Sequence, residues 1–276
     1  MQLEFTKMHG LGNDFVVLND LDGSFNLSEA SIRALADRHL GIGFDQMLVV
    51  GAPTVADVEF TYRIYNADGS EVEHCGNGAR CFARYVRDKG LTESQAIPVM
   101  THGGRIVLQV NEDDSVTVEM GIPEFEPTRI PFSAESQSTA YTLDLNDRQI
   151  SIGAMAIGNP HAVTVVDDTT TVEIELLGPQ IESHTRFPRR VNAGFMQVLT
   201  RDHVKLRVYE RGVGETQACG TGACAAAVIG MIQGRLDSTV TVSLPGGDLL
   251  IHWPGEGHTV RMTGPATTVF EGTITL

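Results

Sequence analysis

Only three lysines, Lys7, Lys89 and Lys205, occur in 276 residues. A pyridoxal-phosphate enzyme needs a lysine for its Schiff base, and none of the three follows a recognisable phosphate-binding loop. The Walker and GxGxxG nucleotide patterns are missing as well. No apolar run is long enough to span a bilayer, and the opening MQLEFTKMHG carries no secretory pattern, so a cytoplasmic protein is expected. Basic residues are outnumbered 35 to 20, a net charge of −15. That balance speaks against nucleic acid or an anionic membrane as partner, and any acidic ligand must be held by local groups. Four cysteines in a chain of this length, without a secretory signal, suit a reducing compartment.

What is present is a repeat. GSEVEHCGNGARC, residues 69 to 81, returns as GETQACGTGAC, residues 214 to 224. At one offset, 219 − 75 = 144, Arg63 falls on Arg207, Tyr65 on Tyr209, Glu71 on Glu215, Gly76 on Gly220, Gly78 on Gly222, Ala83 on Ala227 and Gly90 on Gly234. A strand-like run leads in (Phe60–Tyr65 and Val204–Tyr209), and a small-residue, apolar helical run leads out (Ala79–Val86 and Ala223–Ile232). Cys75 and Cys219 are therefore predicted to sit at helix N-termini. The first N–H groups of a helix lack intrahelical partners and carry the positive end of its dipole, so they bind anions and lower the pKa of a cysteine placed there.

Weaker echoes extend the repeat over nearly the whole chain. Gly158-Asn159-Pro160-His161 answers Gly12-Asn13-Asp14-Phe15, and Val191–Phe195 leads into a strand as GIGFDQ, residues 41 to 46, does. A period of about 145 residues is domain-sized rather than a solenoid unit. The expected fold is α+β. It has two pseudo-symmetric domains, each a mostly antiparallel β-sheet or barrel wrapped around a central helix, with residues 1–120 and a returning 265–276 expected in one, and 121–264 in the other. The segment AAAVIGMIQ, residues 225 to 233, has almost no polar face and should be buried. An outer helix is predicted over Ser28–Leu40, capped by Ser28, with Ile32, Leu35 and Leu40 on its apolar side. Val172–His184 reads as a helix or turn.

Cys81 and Cys224, one or two turns into their helices among apolar neighbours, read as buried structural residues. Cys75 and Cys219 lie among polar and glycine residues at the helix starts, where burial alone explains them less well. Zinc is a second reading, but the spacings are C-x₅-C and C-x₄-C, and at about 100° per residue the pairs diverge by about 240° and 140°. A redox pair is a third, but neither copy has the C-x-x-C spacing. The fourth is acid–base chemistry. Inverting a carbon stereocentre needs a base on one face and an acid on the other, and a duplicated domain with one thiol per copy supplies both.

HLGIGFDQ, ADGSEVEHCGNGARC, IGNPH, VNAGFMQV and YERGVGETQACGTGAC, with HGLGNDF near the start and MTGPA near the end, together resemble the diaminopimelate epimerases, cofactor-independent amino-acid epimerases. The resemblance implies interconversion of LL- and meso-diaminopimelate in lysine and peptidoglycan precursor biosynthesis, no cofactor and no metal, and a homodimer. It implies that Cys75 and Cys219 are the acid/base thiols, in a cleft between the domains, with His161 and Glu210 supporting them. It further implies that Gly76, Asn77, Gly220 and Thr221 present backbone N–H groups to the substrate carboxylate, and that Asn13, Gln46, Asn66, Asn159, Asn192, Glu210 and Arg211 bind the rest of the substrate. Taken singly, these asparagines could be turn residues and His161 an interior histidine. His9 and His74 lie near the motifs and receive no role. A proline or hydroxyproline racemase of the two-thiol type is the main rival, and a non-catalytic amino-acid-binding protein the rival outside enzymes.

Overall fold

The computed structural model describes residues 2–72 and 75–275, so His74 lies outside the described residues. The chain divides into two compact units, Met1–Glu119 with Thr263–Leu276, and Met120–Met262. The first carries β1 (Gln2–Gly10), β2 (Asn13–Asp20), α1 (Glu29–Ala36), β3 (Gln46–Gly51) and β4 (Phe60–Asn66). It continues with β5 (Glu71–Val72), α2 (Gly76–Asp88), β6 (Ala96–Thr101), β7 (Gly104–Val110) and β8 (Val116–Gly121). The second carries β9 (Tyr141–Asp144), β10 (Gln149–Ile157), β11 (Asn159–Val165), α3 (Ile174–Glu182) and β12 (Asn192–Thr200). Then follow β13 (His203–Glu210), β14 (Gly214–Thr216), α4 (Gly220–Ile232), β15 (Thr239–Leu244), β16 (Gly247–His252) and β17 (Val260–Gly264). The chain closes with β18 (Thr267–Thr275), which runs antiparallel to β1. The fold is α+β and mostly sheet.

The repeat read in the sequence is a repeat of topology. In the first unit β1–β2 is antiparallel, β2–β3 parallel, β3–β4 antiparallel, β4–β6 parallel and β6–β7 antiparallel. In the second, β10–β11, β11–β12, β12–β13, β13–β15 and β15–β16 follow the same alternation. Parallel neighbours cannot be joined by a hairpin, so each parallel pair has a helix in its crossover: α1 and α2 in one unit, α3 and α4 in the other.

Helices on both sides of the central strands explain their unbroken apolar runs. On β2 and β3, Val16, Leu18, Met47 and Val49 pack with Ile32, Leu35 and Ala36 of α1. Phe15, Leu48 and Tyr62 take the opposite side, where each lies within about van der Waals reach of Gly78 in α2. The Ser28 side chain caps α1 by accepting from Ser31 N, as its sequence predicts. The helix ends at Ala36, earlier than expected, and Leu40 is 90 % exposed rather than on the apolar side. The Asp37 carboxylate accepts from the N–H groups of His39 and Leu40 and turns the chain outward.

α4 is buried from Gly222 to Gly230. Its small residues allow the sheet to approach closely. A Cβ placed on Gly153 of β10 would lie 2.3 Å from Ile229 Cγ2 and 3.1 Å from Cγ1. Gly153→Ala is expected to lower stability by about 1–3 kcal/mol through overpacking; an unchanged urea midpoint would show that Ile229 can move aside. Both cysteine helices end alike. Gly90 and Gly234 take left-handed φ values of 65° and 71°, and their N–H groups return to Arg87 O and Met231 O. α3 has no side-chain cap and carries Pro179 inside it.

Candidate active site

In the first unit the register brings the polar residues to one end of the sheet. Asn13 opens β2, Gln46 opens β3 beside Phe15, and Asn66 closes β4 opposite Gln46. α2 starts at the same end, with Cys75 as its N-cap in extended conformation (φ −145°, ψ 111°). Cys75 is half-buried, and its Sγ accepts from Gly78 N at 3.4 Å. The first intrahelical bond runs from Ala79 N to Cys75 O. The N–H groups of Gly76 and Asn77 therefore belong to the positive end of the helix rather than to its hydrogen-bond ladder. Asn77 Nδ2 donates to Asn13 Oδ1 at 3.2 Å, and Cys75 Sγ faces that same oxygen at 4.0 Å. Gln46 Nε2 donates to Asn66 Oδ1 at 2.9 Å, while Gln46 Oε1 is buried without a hydrogen-bond partner among the described residues.

The second unit repeats the layout with different side chains. Asn159 opens β11, Asn192 opens β12 opposite His161, and Glu210 closes β13. Cys219 is the extended N-cap of α4 (φ −110°, ψ 103°), followed by Gly220 and Thr221. By register Gln46 corresponds to Asn192, and Asn66 to Glu210 at the offset of 144 found in the sequence. Asn192 is 2 % exposed; its Oδ1 accepts from Arg211 N at 2.8 Å. Its Nδ2 is buried without a hydrogen-bond partner among the described residues. The Arg211 side chain is exposed and donates to Arg189 O at 3.1 Å. Glu210 Oε1 accepts from Thr216 Oγ1 at 2.5 Å. Thr221 Oγ1 lies 3.7 Å from Cys219 Sγ.

The two cap cysteines differ in burial. Cys219 is 4 % exposed. Burial, and then the nearby Glu210 charge, push its thiol well above the ordinary value. That corrects the expectation that the helix N-terminus would bring it toward neutrality: desolvation outweighs the dipole here. Cys81 and Cys224 are fully buried, as expected, and burial pushes Cys81 up to about 12. All four cysteines are thiols.

His161 is 1 % exposed, and its Nε2 meets Asn159 Oδ1 at 2.8 Å. An amide oxygen only accepts, so the neutral ring carries its proton on Nε2. Burial, reinforced by the Arg211 charge, holds its pKa down at about 3 against an ordinary 6.5. Between those values the unfolded chain takes up a proton that the folded chain refuses. The stability present above pH 6.5 is therefore lost as pH falls toward 3. From pH 7 to pH 5 this amounts to roughly 2 kcal/mol. His161→Gln should remove that part of the acid sensitivity, read as the difference between urea midpoints at the two pH values. An equal loss in wild type and variant would refute it.

Three contributors were not legible in the sequence. Asp45, within GIGFDQ, accepts from Asn13 Nδ2 at 2.8 Å and joins a cluster with Asp14, Arg38 and Lys7. Burial pushes the Asp14 carboxyl up, but Arg38 and Lys7 outweigh it and hold it well below the usual carboxylate range. Thr216 fixes the Glu210 carboxylate. Glu182, buried at the end of α3, accepts from Gly212 N at 3.0 Å and so holds the turn that follows Arg211. Among the described residues no group of three or more His, Cys, Asp or Glu side chains is placed to hold a metal ion, and no helix is long and apolar enough to cross a membrane.

Known proteins share this architecture. A PhzF-family phenazine biosynthesis protein of Bacillus anthracis superposes with a TM-score of 0.70 at 16 % identity, covering 100 % of both chains. A hydroxyproline epimerase of Agrobacterium vitis, solved with bound trans-4-hydroxy-L-proline, gives 0.69 at 14 % identity over 99 % of this chain and 92 % of its own. A probable proline racemase of Agrobacterium radiobacter gives 0.70 at 12 % identity over 99 % and 93 %. At such identities these likenesses establish the fold. The sequence pattern of diaminopimelate epimerase goes further, matching residues 5–126 and 153–269 and so taking in both cysteine caps and the strands beside them. The chain thus belongs to the diaminopimelate epimerase family and is an isomerase.

Proposed function

We propose that this isomerase interconverts LL-2,6-diaminopimelate and meso-diaminopimelate, with Cys75 and Cys219 on opposite faces of one α-carbon in a cleft between the two units. One cysteine, as thiolate, takes the α-proton. The other, as thiol, returns its own proton to the opposite face, so the pair ends with the roles exchanged and the stereocentre inverted. The observation that carries this reading is the equivalent placement of the two thiols, each capping the most buried helix of its unit. The N–H groups at the two helix starts suit the substrate carboxylate and the charge that develops on it as the proton leaves. Burial keeps Cys219 protonated in the free chain, so in this scheme it enters as the acid or gives up its proton only with substrate in place.

The distal half of the substrate is a second amino acid, and the polar set suits it. Gln46 Oε1 and the Glu210 carboxylate are acceptors for an ammonium group, and Asn192 Nδ2 is a donor for a carboxylate. Arg211 offers a planar two-point fork to a carboxylate. The test is incubation of LL-diaminopimelate with the protein in D₂O. Meso product with one deuterium at the inverted carbon is expected. L-proline and trans-4-hydroxy-L-proline serve as parallel substrates. Turnover of either, with diaminopimelate untouched, would move the assignment to the proline type, and no exchange with any of the three would overturn the two-thiol reading.

A further inference from the structure

The asparagines at the start of β2 and β11 occupy equivalent places, yet different groups hold their amides. In the second unit His161 Nε2–H takes the Asn159 oxygen. In the first unit Asp45 Oδ2 lies 2.8 Å from Asn13 Nδ2. A carboxylate only accepts, so the Asn13 NH₂ must face Asp45 and its oxygen must face the other way. On that other side stand Asn77 Nδ2 at 3.2 Å and Cys75 Sγ at 4.0 Å. The residue equivalent to Asp45 in the second unit is Val191, one before Asn192 as Asp45 is one before Gln46, and it can impose no such choice.

We infer that Asp45 is a positioning residue that locks the Asn13 amide with its oxygen toward Cys75, and so sets the proton affinity of that thiol. An oxygen beside sulfur accepts from the S–H form and repels the thiolate. The Gly78 N–H on the other side favours the thiolate. These two contacts pull in opposite directions on how readily Cys75 loses its proton. Asp45 is itself held. Arg38 Nη2 donates to its Oδ1 at 2.7 Å, and Asp14 N to its Oδ2 at 3.1 Å. Arg38 also forks onto Asp14 at 2.8 and 2.9 Å, and Lys7 bonds the same carboxylate at 2.5 Å. Among the described residues, the buried Tyr62 hydroxyl and the Cys81 thiol also interact with Cys75. This lock bears on catalysis only if Cys75 is one of the acid/base thiols, and in that sense the inference rests on the proposed function.

The test reads Cys75 directly and needs no substrate. The rate of iodoacetamide modification at Cys75, followed by peptide mass spectrometry across pH, gives the thiol midpoint in the full-length protein. Asp45→Asn keeps the side-chain shape but can donate as well as accept, so the Asn13 amide is no longer locked. The midpoint should fall by about half to one pH unit, the worth of one net hydrogen bond. Asn13→Ala removes the oxygen and should lower it similarly.

Loss of the Asp45 charge alone would also lower the midpoint, so the double variant decides. With Asn13→Ala already present, Asp45→Asn should add almost nothing if the effect travels through the amide. A full additional fall would overturn the inference, as would an Asn13→Ala profile that matches wild type. The second of these outcomes stands even if Asp45→Asn fails to fold. Wild-type protein that modifies as expected but does not epimerise diaminopimelate would strike the proposed function and leave the lock in place.

Discussion

Cys75→Ala and Cys219→Ala should each cut epimerisation by about 10²–10⁴-fold, the usual worth of a positioned acid or base. Each variant keeps one thiol and therefore one proton-transfer partner. Removal of the α-proton can survive for the isomer presented to that thiol; delivery from the opposite face cannot. Solvent deuterium should then enter one stereoisomer without inversion, and the two variants should prefer opposite isomers. Folding should be affected little. Cys75 is half-buried at a cap, and Cys219 is a small side chain at the equivalent cap, with the Thr221 hydroxyl 3.7 Å from its sulfur. Wild-type epimerisation by either variant would end the two-base mechanism for this chain. Unfolding of both would return the cap cysteines to a structural role.

Arg80→Ala should cost far more stability than either cysteine change. Arg80 is fully buried on α2, and its Nε donates to Pro265 O at 3.0 Å. The side chain fills the space under β1, where a Cβ on Gly10 would come within 2.9 Å of Arg80 Nη2. Truncation leaves a cavity of nearly a whole large side chain and a carbonyl without that donor. A cost of about 3–5 kcal/mol is expected, a large part of the 5–15 kcal/mol typical of a domain. Arg80→Met restores most of the volume and separates packing from hydrogen bonding. Chymotrypsin should cut more readily after Phe270 in the alanine variant. A loss below about 1 kcal/mol would mean that the interior closes over the gap.

The sequence and structure agree most where the determinants are local. The cap cysteines, the helices behind them and the closing Gly90 and Gly234 were visible because Cys-Gly-x-Gly-Ala, the apolar run and the glycine all lie within about 15 residues. The burial of residues 225 to 233 followed from a helix face with nothing polar on it. Leu40 was misplaced because the apolar spacing continues past Ala36, while the stop is a side-chain capping bond from Asp37 that spacing does not reveal. The acidity of Cys219 was misjudged because a helix start is a local feature and desolvation is not. The bond between Asn13 and Asp45 joins residues 32 apart in sequence. Glu182, at the end of a helix with Gly178 and Pro179 in it, gave no signal, and its partner Gly212 lies 30 residues away.

The pairing of β18 with β1, from Gln2↔Thr275 to His9↔Thr267, has a consequence for how the protein is made. The ribosome delivers the start of β18 267 − 10 = 257 residues after the end of β1. At about 5–20 residues per second that is a wait of roughly 10–50 s. Throughout it one side of β1 is an unpaired edge, open to wrong partners. Met120–Met262 is contiguous in sequence, so all of it is delivered before β18. The unit that starts second is thus able to finish first, and the nascent chain should show protease-resistant Met120–Met262 before it shows any resistance at β1.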